Sequence, residues 1–227
     1  MCLKKKPCAY CGIENAPTKD HIPPKSLFPK PRPHNLITVP SCFACNTRFQ
    51  KDDDYFWLTL SIRAENSGNP AAEEASTRAI SNLSRPQSGG FQRSFLASLG
   101  RVALHSPAGI YLGDHLGYRI EFPRLNRVAS RITKGMFCKI RNAPLAKGYV
   151  AMARAIEGFQ NSGPDLEQMI SFVSREPVFT IGSAFCYQSK FLDEDPNFSL
   201  WFFRIYNSTQ FIGLTMLDSD ARWEDAL

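Results

Sequence analysis

Two C-x2-C pairs, Cys8/Cys11 and Cys42/Cys45, constrain the fold of this chain more than any other feature. Two residues between cysteines let both thiolates of a tight knuckle point at one ion, and a tetrahedral zinc needs two such knuckles. A redox pair of the thioredoxin kind explains one C-x2-C but not two, and neither pair ends an apolar strand. The four cysteines are therefore expected to hold one structural Zn²⁺ and to close a 30-residue insert into a small module. An odd total of seven cysteines argues against a disulfide framework and for a reducing compartment. Cys138 and Cys186 lie in apolar segments and read as small buried hydrophobes. The N-terminal MCLKKKPC is basic and has no apolar core, so no secretory signal is expected and the cytoplasm is the expected location.

Composition narrows the class of partner. With 43% hydrophobic and 21% charged residues, the 227-residue chain is ordinary globular material. No apolar run approaches the roughly 18–20 residues that span a bilayer, so no membrane partner is expected. Lys+Arg exceeds Asp+Glu by 27 to 21, a net charge of +6, which favours a polyanion. Residues 1–63 hold ten basic and five acidic side chains and so carry most of that excess.

The insert between the knuckles concentrates polar chemistry. Asp20 and His21 are adjacent and precede Pro23 and Pro24; Asn35 opens an N-L-I-T-V run; Asn46 directly follows the second knuckle. A histidine titrating near neutrality can take a proton from an attacking water. A carboxylate and an amide oxygen can hold one hard divalent cation while leaving positions for water and phosphate. In a strand, adjacent Asp20 and His21 point to opposite faces. A bend where the prolines follow is expected to let both reach one site.

In this order, C-x2-C, D-H-I-x-P, N-L and C-x2-C-N resemble the HNH endonucleases of the cysteine-knuckle type, with a ββα-metal active site. The resemblance covers roughly residues 8–57. It implies that His21 is the general base and that Asp20 and Asn46 hold a catalytic Mg²⁺ or Mn²⁺. It also implies that Asn35 braces the loop carrying His21. An asparagine, Asn46, stands where the family's third letter has histidine, which favours an oxygen-loving metal over zinc at that position. The implied reaction is phosphodiester hydrolysis of DNA, in a setting such as restriction or anti-phage defence. Lys25, Lys30, Arg32, Arg48 and Lys51 are expected to track the phosphate backbone. The acidic run after Lys51 reads as a solvated helix face.

Beyond the module, residues 64–92 read as a linker with a short helix from about Pro70 to Leu83, proline being well placed at a first helical position. Residues 93–227 read as an α+β domain with a mostly antiparallel sheet and a helix on one face. YLGDHLGYRIEF is expected to be a hairpin turning at Asp114-His115. After it, Leu125, Val128, Ile132, Met136 and Ile140 recur at helical spacing as one buried stripe. Between Arg119 and Lys147 eight basic residues face one acidic. Arg124, Arg127, Arg131 and Lys134 are therefore expected to contact nucleic acid. SLWFFRIY and QFIGLTML, joined through N-S-T, read as a second hairpin. This half is expected to bind substrate, a protein partner or a second copy in a homo-oligomer. Two rival readings stand beside the nuclease: a non-catalytic zinc-ribbon that binds nucleic acid, and a zinc-stabilised interaction subunit of a larger defence complex.

Overall fold

The computed structural model describes residues 6–106, 108–158, 164–206 and 208–220. The N-terminal segment builds a small antiparallel pair, β1 (Thr18–Ile22) and β2 (Ile37–Ser41). A short helix α1 (Phe43–Thr47) and a longer one, α2 (Gln50–Ser61), follow directly. Cys42 caps α1, its sulfur accepting from the Cys45 amide. Knuckle, strand pair and helix are thus continuous in space as well as in sequence. In α2, every residue from Tyr55 to Ser61 is buried. A helix apolar all round must sit inside a core rather than on a surface.

The segment read as a linker is part of that core. Helix α3 (Pro70–Leu83) has the expected bounds, with Pro70 in its first turn and the Asn69 side chain accepting from the amides of Ala71 and Ala72. It buries Ala71, Ala72, Ala75, Ala79 and Leu83 against α2. A second helix, α4 (Gly89–Ala97), follows. One apolar cluster runs from Ala9 through Phe56 and Leu58 to Trp201 and Phe211. Phe56 and Phe211 lie 5.7 Å apart, and the Tyr206 hydroxyl donates to the Leu27 carbonyl at 3.0 Å. The expected boundaries near 63 and 92 therefore divide no core, because the C-terminal half packs on α2, and α3 on α2, within one cluster.

The C-terminal half is α+β and mostly antiparallel. A two-stranded ribbon, β3 (Leu99–His105) with β4 (Tyr111–Tyr118), stands apart from the main sheet. Here the expected turn at Asp114-His115 is instead the middle of β4, paired with Ala103 and Val102. The hairpin closes one segment earlier, and Gly117 permits the close pairing: a Cβ there would meet Val102 Cγ2 at 2.5 Å.

Helix α5 (Phe122–Arg141) comes next, then β5 (Tyr149–Ala155), α6 (Pro164–Val173), β6 (Phe179–Ile181), β7 (Phe185–Phe191), β8 (Ser199–Ile205) and β9 (Thr209–Leu217). The five strands order as β5-β9-β8-β7-β6. The β8–β9 hairpin matches its sequence reading, although Asn207 in its turn lies outside the described residues. Alternation along β8 sends Trp201, Phe203 and Ile205 to the main core and Leu200 to a second cluster with Leu166 and Val173 of α6. Helices therefore cover both faces of the sheet, not one. The α5 stripe is buried at Leu125, Val128, Ile132 and Met136 but ends there; Ile140 is exposed. Gly135 lets α5 lie directly on β1, since a Cβ at that position would collide with Ile22.

Candidate active site and its groove

The four cysteines converge. The sulfurs of Cys8, Cys11, Cys42 and Cys45 all lie within 4.8 Å of one another, and Cys11 and Cys42 are 3.8 Å apart. Zinc–sulfur bonds of about 2.3 Å at tetrahedral angles require edges near that length. Backbone amides already point at the sulfurs: Cys42 donates to Cys8 Sγ at 3.4 Å and Cys45 to Cys42 Sγ at 3.5 Å. Burial opposes ionisation of Cys8, but backbone hydrogen bonds outweigh it and bring its thiol down to about 7. Burial and the neighbouring sulfurs push Cys45 the other way, far up. Four thiols crowded this closely cannot all ionise unaided, and a dication at their centre removes the conflict. The donor set fits Zn²⁺.

From this anchor, β1 presents the D-H pair, and the pair is split. β1 stays in register with β2 to its end, Asp20 opposite Val39 and His21 opposite Thr38. Strand alternation is therefore intact, and the expected bend that would bring both side chains to one site does not occur. Asp20 faces inward, 9% exposed. The Tyr10 hydroxyl donates to its Oδ2 at 2.7 Å, and the Arg131 Nε lies 3.8 Å away. His21 faces outward and is half-buried. Burial lowers its pKa, as do the charges of Lys25 and, more weakly, Arg32, against an upward pull from Asp20. The imidazole is thereby kept neutral and able to accept a proton near pH 7.

Asn46 sits beside the start of β1. Its Nδ2 donates to Thr18 Oγ1 at 3.0 Å, and its Oδ1 accepts no hydrogen bond among the described residues. The amide oxygen is thus free to meet an ion or water. Asn35 does not brace the His21 strand; its amide donates instead to the Thr180 carbonyl at 3.3 Å, in β6. The long β1–β2 connection packs against the C-terminal sheet, and Asn35 serves that junction. Asp20 as arranged does not suit a catalytic Mg²⁺ or Mn²⁺, because an ion on its Oδ2 would face the Arg131 guanidinium, and Asn46 alone offers one amide oxygen.

Neither a protein family, nor a curated protein, nor a solved structure matches this chain.

Three arginines of the basic helix α5 are paired within the protein. Arg131, 3% exposed at its side chain, pairs with Asp53 at 2.6 Å as well as with Asp20, and its guanidinium lies over the Phe49 ring. Its role is a buried countercharge, which corrects the expectation of a phosphate contact. Arg124 binds Asp52 at 2.9 Å and the Lys51 carbonyl at 2.9 Å, and stacks 4.1 Å from the centre of Tyr55. Arg127 reaches the other oxygen of Asp52 at 2.8 Å. Asp52 and Asp53 of α2 are accordingly not a solvated face but the partners of α5, while Asp54 faces a groove. Lys134 and Arg127 instead border a cleft of about 860 Å³ between the knuckle, α5 and β5.

A larger groove, about 1490 Å³, opens along α2. Lys25, Lys30, Arg32, Arg48 and Lys51 line it. Arg85, beyond the end of α3, lines it too, and no sequence motif points to it. Its only signal is a positive charge in a segment that reads as a linker.

Proposed function

We propose that this protein is an HNH-type endonuclease that hydrolyses phosphodiester bonds in DNA. The observation that carries the reading is the combination of a four-thiolate knuckle with an outward-facing His21 on the following ββα unit, beside a cationic groove. His21 takes the proton of the attacking water as the water adds to phosphorus, the P–O3′ bond breaks, and the departing 3′ oxygen takes a proton from solvent. Lys25 and Arg32, whose charges reach His21, neutralise the phosphoryl oxygens as negative charge builds in the transition state. Asn46 orients the water or a phosphoryl oxygen through its amide. The knuckle zinc supplies rigidity, not chemistry.

A second reading has an observation of its own. Asp20 is held by Tyr10 and Arg131, so the residue that the resemblance makes a metal ligand is occupied. That favours a zinc-ribbon that binds nucleic acid without cutting it. A plasmid-nicking assay separates the two. Cleavage with added Mg²⁺ or Mn²⁺ that EDTA stops and that His21→Ala lowers by at least about 10²-fold supports the nuclease. Binding without nicking under all these conditions supports the ribbon.

A further inference from the structure

We infer that Arg85 and the α3–α4 corner, outside the ββα module, form the second wall of the DNA groove and grip the backbone opposite Lys51. The inference rests on the endonuclease reading for its substrate, but not for its geometry. Eight cations line the groove, and six of them, Lys25, Lys30, Arg32, Arg48, Lys51 and Arg85, have no ion-pair partner among the described residues. Asp54 is the one carboxylate in the lining. The same chain pairs Arg124, Arg127 and Arg131 with Asp52 and Asp53, whereas these six face a lining with a single carboxylate.

The six come from three stretches distant in sequence: the β1–β2 connection, the α1–α2 corner and the end of α3. Like charges focused in a concave surface repel each other, and a polyanion relieves that repulsion. Two further groove cations, Arg78 and Arg124, are held by protein partners and act as struts. Arg78 donates to the carbonyls of Ser26 and Phe28, which ties α3 to the β1–β2 connection and fixes the distance between the walls. Neutral donors lie on the α3–α4 side as well; Ser81, Gln87 and Ser94 face the groove with exposed side chains. Phosphate oxygens are bound by this mixture of point charges and neutral hydrogen-bond donors.

The test is anisotropy titration of a labelled DNA duplex at several salt concentrations, with His21→Ala in every protein so that the probe survives. Lys51→Ala and Arg85→Ala are each expected to weaken binding at least fivefold and to flatten the slope of log affinity against log salt by about 0.9 for each phosphate no longer neutralised. Arg85→Lys should keep the slope. Arg127→Ala, on α5, should change neither quantity. Both groove side chains are exposed, so circular dichroism is expected to be unchanged.

An Arg85→Ala slope equal to that of the parent, with Lys25→Ala still flattening it, overturns the second wall and leaves the endonuclease reading standing. Plasmid that the wild-type protein never nicks, together with a flattened Arg85→Ala slope, sinks the endonuclease reading and keeps the groove. Tighter binding to duplex RNA than to DNA of the same sequence overturns the choice of substrate.

Discussion

Arg131→Met is the substitution that most directly probes how the four-cysteine module is joined to the rest of the chain. Arg131 sits on α5, while its carboxylate partners Asp53 and Asp20 belong to α2 and β1. Its Nη1 has no hydrogen-bond partner among the described residues, so the site is already short of one bond. Burial holds the Asp53 carboxyl at about 6 even with Arg131 beside it. Keeping Asp53 ionised therefore costs the native state about 3 kcal/mol above pH 6, relative to an ordinary carboxylate. The sign follows from proton binding: the native state holds this proton more tightly than the unfolded chain. Stability thus falls as pH rises from about 4 to about 6 and is level above.

Methionine matches the arginine stem but removes the cation. Asp53 then lies buried without its counterion, its carboxyl rises further, and the decline continues past pH 6. Breaking a buried pair in this way costs about 3–5 kcal/mol. Urea unfolding of the zinc-loaded protein, extrapolated linearly to water, should show that loss at pH 7.5 and a clearly smaller one at pH 5. Adding Asp53→Asn should recover part of it at pH 7.5 and little at pH 5. A loss below about 1 kcal/mol, or one equal at both pH values, would refute the assignment of Arg131 as the countercharge of this network.

Three further outcomes are expected. Elemental analysis should find one zinc per chain, and Cys45→Ser should release it and open residues 8–48 to protease, since metal binding of this kind supplies on the order of ten kcal/mol of folding energy. Gly135→Ala should cost about 1–3 kcal/mol in urea unfolding by pushing α5 off Ile22, and Ile22→Ala in the same chain should relieve the clash. Val102→Ser with Leu116→Ser should change stability by less than about 1 kcal/mol, because these side chains are 52% and 76% exposed on the β3–β4 ribbon; a larger loss in thermal unfolding would mean the ribbon is covered.

Local signals proved readable where one element carries its own reason. Asn69 and Pro70 start α3, and its apolar face is visible in the spacing of small residues, so its bounds agree with the sequence reading. The β8–β9 hairpin and α5 follow from period and turn chemistry in the same way. Legibility failed at Asp114-His115, where glycines on either side suggest a turn. In the structure Gly117 allows close cross-strand pairing and Gly113 takes a positive φ within the strand, and what decides between the two is the partner strand β3. It failed also for the linker, because small alanine side chains look like flexible composition until a second helix is laid against them.

The convergence of four thiolates was determined by sequence alone, since knuckle spacing dictates which atoms can share one ion whatever surrounds them. The same holds for the presence of Asp20, His21 and Asn46 on one short unit. Which of them is available was decided by tertiary structure. Strand alternation turned Asp20 inward and His21 outward, and a guanidinium 111 residues further along the chain then claimed the inward one. Charge followed the same rule. Arginines on α5 and lysines around the module are alike in sequence, but only packing supplied carboxylates to the first group and withheld them from the second. Ionic partnership depends on distance in space, which residue spacing does not encode beyond a helix turn or a strand pair.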